Sequence, residues 1–226
     1  MNIAQVSALV DAVGRPHIVG FTETHSQRIQ EQLSGYHLVA QLDRRTGEQG
    51  GGIALYALSG FEQSVAHLAD SRIDERSWFI IHADSGPILL CLWYRRPNIG
   101  EVESVRRFDE ELSLYSRHGI SCIIMGDLNC HNPDWLRFSS RNTPEGSALE
   151  EVCCTHGLRQ LVREPTRGSY LLDLVLSDLA SGIRCRVVRG IHGNDHDGIV
   201  TTVNLDIAAS QPVERTVFNF KQADWQ

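Results

Sequence analysis

No run of apolar residues in the sequence is longer than a β-strand, so no membrane-spanning helix is expected. The N-terminus has no basic region ahead of a long apolar core, so no secretory signal is expected either. Positive charge is in deficit: 21 Lys and Arg against 28 Asp and Glu leave a net charge of −7. That excludes a protein that coats nucleic acid through a general basic surface, but it leaves room for a local carboxylate cluster that needs cations. The six cysteines (Cys91, Cys122, Cys130, Cys153, Cys154 and Cys185) include no second pair at zinc-site spacing, although Cys153, Cys154 and His156 lie close together. Without a secretory signal they read as reduced thiols of an intracellular chain. Gly50-Gly51-Gly52 lacks the lysine and hydroxyl of a phosphate-binding P-loop and reads as a strand entry or bulge. No Pro/Gly/Ser-rich linker, internal repeat or low-complexity tract divides the 226 residues, and a composition 42% hydrophobic supplies an ample core.

What the sequence does have is a series of apolar strands that end in polar residues. Ile120 to Met125 reads as a strand buried on both faces, and it runs into Gly126-Asp127-Leu128-Asn129. That places a carboxylate and a carboxamide two positions apart where the chain leaves the sheet. Gly, Asp and Asn are also ordinary turn residues, and alone the tetrapeptide would read as a turn. Four other segments change the balance. Ile18 to Phe21 leads into Glu23 and His25, and Pro87 to Trp93 leads into Tyr94-Arg95-Arg96-Pro97. Asp173 interrupts the apolar Leu171 to Leu176, a costly position unless it is bonded or catalytic. Asp195-His196-Asp197 precedes a last strand and supplies a His flanked by acids.

Between these ends the pattern predicts a helix from Asn2 to Gly14 with Ile3, Val6, Val10 and Val13 inward. Strands are expected over 36–42, 51–57 and 61–68, then a hairpin of 78–83 and 87–94 turning at 84–86. A second helix runs from Glu101 to Arg117 on Val105, Phe108, Leu112 and Tyr115. A third starts at Thr143-Pro144-Glu145, after a polar loop, and stops at Gly157. Strands over 158–162, 171–177, 184–190 and 198–205 complete one domain, residues 1–208; residues 209–226 read as an extension beyond it.

Carboxylates for a hard cation, one more to orient water and a His to meet phosphate charge together describe metal-assisted phosphodiester hydrolysis. In this order, Phe21-Thr-Glu-Thr-His25, Tyr94-Arg-Arg-Pro97, Gly126-Asp-Leu-Asn129, Leu172-Asp-Leu-Val175 and Asn194-Asp-His196 resemble the motifs of the endonuclease/exonuclease/phosphatase superfamily. Gly126 to Trp135, Glu164-Pro-Thr-Arg-Gly168 and Leu172 to Asp178 look like the endonuclease domain of Jockey-group non-LTR (LINE-type) retrotransposons. Val217 to Trp225 is similar to the segment those polyproteins place ahead of the reverse transcriptase.

The resemblance implies an α/β fold: a four-layer, deoxyribonuclease I-like sandwich of two packed mixed β-sheets flanked by helices. It implies an endonuclease that depends on Mg²⁺ (or Mn²⁺) and nicks target DNA for retrotransposition, as part of a larger polyprotein acting in the nucleus. No membrane association and no obligate protein partner are implied. Carried over by position, Glu23 would ligate the metal and Asp195 would support it or the His. Asp127 would orient or deprotonate water, Asn129 would position the phosphate and Tyr94 would contact it. His196 would stabilise developing charge, with Asp173 orienting its ring. Thr166 would sit near the DNA backbone. Apart from the resemblance, Arg95, Arg96, Arg137, Arg141 and Arg167 are the loop cations expected around the cleft to bind DNA locally. Two departures stand out: the family's first strand, which carries an Asn ligand, is expected to be missing ahead of Asn2, and Asn194 stands where the family has Ser. Two alternatives therefore stay open: a catalytically impaired retroelement fragment, and a small-molecule phosphoesterase of the same superfamily.

Overall fold

The structure, a computed structural model, describes residues 3–25, 33–44, 50–116 and 119–205. The extension expected over 209–226, the capping Asn2, and Arg117 and His118 at the end of the second helix lie outside the described residues.

The centre of the molecule is a six-stranded sheet in the order β4 (Val65–Asp70), β5 (Glu75–Ala83), β6 (Gly86–Tyr94), β7 (Cys122–Asp127), β9 (Asp173–Ser177), β8 (Arg159–Gln160). The sheet is mixed, because β6 and β7 run parallel and the other neighbours antiparallel. That parallel pair needs a crossover, and helix α2 (Glu103–Tyr115) supplies it. Its Val105, Phe108 and Leu112 are fully buried, and Phe108 stacks on Trp93 and Trp78 at centroid distances of 4.9 and 6.0 Å. Helix α3 (Pro144–Thr155) follows, capped by the Thr143 hydroxyl, which accepts from Gly146 N, with Pro144 in the first turn.

The opposite face of this sheet meets β1 (Ile18–Thr22), β3 (Ile53–Leu58) and β2 (Tyr36–Leu42), hydrogen-bonded in that order and antiparallel. A β-carbon added to Gly20 would lie 3.1 Å from the Leu92 side chain, which measures how closely the sheets approach. Alternation along β6 then assigns its faces: Trp93 turns to α2, while Leu92 and Tyr94 turn to the space between the sheets. Helix α1 (Ile3–Ala12) covers the outer face of β1-β3-β2, burying Val6 and Val10 against Tyr36, Ala54 and Tyr56, with Val19 and Phe21 alongside. A separate antiparallel pair, β10 (Ile183–Val188) and β11 (Gly198–Val203), packs Ile183, Cys185, Val187, Ile199 and Val203 on the main core.

Helix, sheet, sheet, helix is the expected four-layer sandwich, with one difference. The smaller sheet layer is two antiparallel pieces, not one mixed sheet, and among the described residues β1 and β11 each pair along a single edge. Strand limits differ locally as well. Gly60, at φ +92°, and a 3₁₀ turn over Glu62–Ser64 delay β4 to Val65, and of the expected 158–162 strand Arg159 and Gln160 form the ladder with β9, with Leu161 N adding one bond to Val175 O at 2.9 Å. Among the described residues no helix is long and apolar enough to cross a membrane.

Candidate active site

The strands deliver their polar ends to one place. Asp127 closes β7 and Asp173 opens β9, and the two stand opposite each other in the antiparallel register. Opposed residues of an antiparallel pair share a face, so both carboxylates point between the sheets. The parity that turns Tyr94 inward brings it to the same end of the sheet, and Arg95 N donates to Asp127 O at 2.8 Å. Gly126 makes this close approach possible. A β-carbon there would stand 1.9 Å from Trp93 O, and its φ of +144° suits glycine alone.

His196, two residues before β11, turns its ring onto this pair. Nδ1 lies 2.8 Å from Asp173 Oδ2, and Nε2 lies 4.0 Å from Asp127 Oδ2. The ligand atoms of Asp127, Asp173 and His196 all fall within 4.8 Å of one another. From the other sheet Glu23 reaches across the cleft and accepts a hydrogen bond from the Tyr94 hydroxyl. Glu23, Asp127 and His196 line one pocket of about 390 Å³, with Thr22 and His25 on one wall and Ile191 to Asn194 on the other.

The electrostatics follow from this crowding. Burial and the facing Asp173 push the Asp127 carboxyl up to about 7, against the pull of His196. Burial opposes the charged form of His196, but the hydrogen bond and charge of Asp173 outweigh it and raise the imidazole above its ordinary value. Burial, then the bond to Glu23, raises the Tyr94 phenol. Asp127 Oδ1 is buried and has no protein hydrogen-bond partner. A buried carboxylate oxygen left bare beside Glu23 is the donor that a hard divalent ion prefers, so the residues present fit Mg²⁺ or Mn²⁺ at Glu23 and Asp127. His196 is a poor ligand here, because Asp173 holds Nδ1 and favours the charged ring.

Of the ten residues singled out by sequence, Glu23, Tyr94, Asp127, Asp173 and His196 meet in this cleft, and Asn129 adjoins it, donating from Nδ2 to Arg95 O at 2.9 Å. The other four stand elsewhere or differently. Asp195 is exposed and pairs with the Arg167 guanidinium, so its carboxylate is engaged outside the Asp127–Asp173–His196 cluster, and Arg167 is itself half-exposed. Thr166 is completely buried. Its hydroxyl accepts from Leu172 N and Asp173 N, so it fixes the start of β9. Arg95 is 2% exposed, and its guanidinium is spent on main-chain carbonyls of the surrounding loops. The loop after β6 folds over this strand-end cation. Among the loop cations, Arg96 lies 3.4 Å from buried Glu75, while Arg137 and Arg141 are exposed.

Sequence reasoning left out His192 and Ile191, which lie in a loop with no periodic pattern. It also missed a conformational feature: Glu23 and Asn129 hold φ of +54° and +47°, in the left-handed region. Backbone strain of this kind concentrates at functional sites. The G-D-L-N spacing hinted at it for Asn129, because Asn tolerates that region; nothing hinted at it for Glu23.

The sequence profile described as endonuclease–reverse transcriptase matches residues 88–200, half of the chain. No curated protein matches. Among solved structures, the endonuclease domain of TRAS1, a telomere-specific non-LTR retrotransposon, superposes with a TM-score of 0.69 at 17% identity, over 90% of this chain and 92% of that one. An AP endonuclease from Archaeoglobus fulgidus gives 0.63 at 16% identity, over 89% and 94%. The human Nocturnin catalytic domain, with a bound sulfate anion, gives 0.64 at 12% identity, over 89% and 85%. At such identities these likenesses speak for the fold, and the profile for the family: the chain belongs to the endonuclease–reverse transcriptase family, with the fold of the endonuclease/exonuclease/phosphatase superfamily.

Proposed function

We propose that the chain is a divalent-metal-dependent phosphodiesterase, an endonuclease that nicks target DNA to start the copying of a LINE-type element. The observation that carries the reading is the Asp173–His196 pair aimed at Asp127, beside Glu23, in one cleft. A buried carboxyl pushed up to about 7, an imidazole raised by its bond to Asp173 and a second carboxylate in the same pocket suit hydrolysis of an anionic diester better than they suit a structural role.

Mg²⁺ or Mn²⁺ held by Glu23 and Asp127 would supply Lewis-acid withdrawal of charge from the scissile phosphate. Asp127 orients a water and accepts its proton as the water oxygen bonds to phosphorus. The P–O3′ bond breaks, and the departing oxygen takes a proton from solvent to leave the 3′-hydroxyl that priming requires. His196, charged and donating through Nδ1 to Asp173, offers Nε2–H to the phosphate oxygen where negative charge builds. Asn129 and the Tyr94 hydroxyl position the diester, and Arg167, paired with Asp195 beside His196, would meet the adjoining backbone. Such chemistry belongs at chromosomal DNA in the nucleus, carried out by one domain of a polyprotein that also holds the reverse transcriptase.

Supercoiled plasmid incubated with the protein tests the reading. Relaxed circles with a polymerase-extendable 3′ end should appear with Mg²⁺ and be absent with chelator. Release of phosphate from small monoesters without nicking would assign the cleft to a phosphatase instead.

A further inference from the structure

Resting on the nuclease reading above, we propose that Arg95 is a positioning residue that locks the Tyr94 and Asp127–Asn129 strand ends into one rigid unit and makes no contact with DNA. Its side chain is among the largest fully buried ones in the protein. Nη1 donates to Asn129 O at 3.3 Å and Leu128 O at 3.5 Å, while Nη2 donates to Asn98 O at 3.0 Å and Glu101 O at 2.8 Å. Nε donates to the buried Ser104 hydroxyl at 3.1 Å, at the start of α2. The main chain of Arg95 completes the lock: its N donates to Asp127 O, and its O accepts from Asn129 Nδ2. Arg95 and Asn129 thus grip each other twice, side chain to main chain in both directions.

Two further observations separate this lock from a generic buried cation. Asn129 holds its left-handed conformation at the very carbonyl that Arg95 Nη1 takes, so the guanidinium stabilises the turn that aims the carboxamide. The positive charge is also balanced from inside the protein. Glu145, 1% exposed, lies 4.0 Å from Nη2 and accepts Gly100 N, and the Glu101 carboxylate lies 3.9 Å away. A cation desolvated and neutralised in this way has nothing left to offer a phosphate. Lysine cannot replace it, because one ammonium cannot serve carbonyls on three segments through a planar fork.

The test compares wild type, Arg95→Lys and Arg95→Ala in plasmid nicking, with affinity for a DNA duplex measured across a salt series. A misplaced site loses rate, so kcat should fall about 100-fold in both variants while KM stays within about twofold. The log–log salt slope of DNA affinity should not change, whereas loss of a phosphate contact would lower it by about one. Added guanidinium ion should recover part of the lost kcat in Arg95→Ala and none in Arg95→Lys. Because Arg95→Ala risks unfolding, hydrogen exchange of the Asn129 side-chain amide is followed by NMR in wild type and Arg95→Lys; it should be slow in the first and fast in the second. A raised KM with a lowered salt slope, or an Asn129 amide equally protected in both, would overturn the proposal. Should wild type fail to nick at all, the nuclease reading falls, and the Asn129 exchange alone decides whether Arg95 holds the turn.

Discussion

At Asp127, burial and the neighbouring Asp173 both oppose a charge that the proposed chemistry needs, and this conflict has a thermodynamic signature. With its folded pKa pushed up to about 7, the metal-free folded protein keeps a proton that the unfolded chain has already released. Its stability should therefore fall as the pH rises from about 4 to about 7, and stay low above that. Asp127→Asn removes the penalty. In chelator it should raise Tm by about 2–8 °C at pH 8, from about 1–2 kcal/mol, and change little at pH 4, while abolishing nicking. His196 has the opposite sign. Its raised pKa stabilises the fold below about 6.5, and that contribution is lost as the pH climbs through the folded value. Asp173→Asn releases the ring, so the alkaline limb of the rate profile should move to lower pH and nicking at pH 8 should drop about 10–100-fold. Tm should move by less than about 4 °C, since Asn keeps the shape of the side chain and one hydrogen bond is worth about 1 kcal/mol. Asp173 was legible in the sequence as an acid inside an apolar strand. The burial of Thr166 and Arg95 was not legible, because a hydroxyl or cation after a strand does not reveal which carbonyls and amides will turn towards it.

At the level of elements, the cleft depends on how closely β6 and β7 run at their ends. Gly126→Ala forces a methyl onto Trp93 O and denies the chain a positive φ, so it should cost at least about 3 kcal/mol and lower Tm by about 6–12 °C. A melting curve unchanged by that substitution would show that the strand ends can separate without loss. The helices and the long strands were readable from period and caps, as the Thr143 cap and the Val105–Phe108–Leu112 stripe of α2 illustrate. Two limits were set by packing instead. β4 begins only after the turn at Gly60, and β8 is confined to Arg159 and Gln160. Sheet order was not readable at all. It places β7, where Asp127 sits, between β6 and β9, and so brings Tyr94 and Asp173 to its two sides.

Over the whole molecule a net charge of −7 has to coexist with a polyanionic substrate, so attraction must be local. Arg167, half-exposed and held by Asp195 one residue from His196, is the cation proposed for this. Arg167→Glu should weaken duplex binding and lower the salt slope by about one; an unchanged slope would remove it from the binding surface. The fold and the family motifs carry the argument as far as a cleft of the right chemistry, and catalysis is decided by rate. Single-turnover nicking of supercoiled DNA across a Mg²⁺ titration, for wild type and Asp127→Asn side by side, is the deciding measurement. Wild type should nick with saturable dependence on Mg²⁺, and Asp127→Asn, at least as stable as wild type, should be slower by about 10³-fold or more. Nicking by wild type in chelator, or by Asp127→Asn at the wild-type rate, would contradict the assignment of this cleft as the active site.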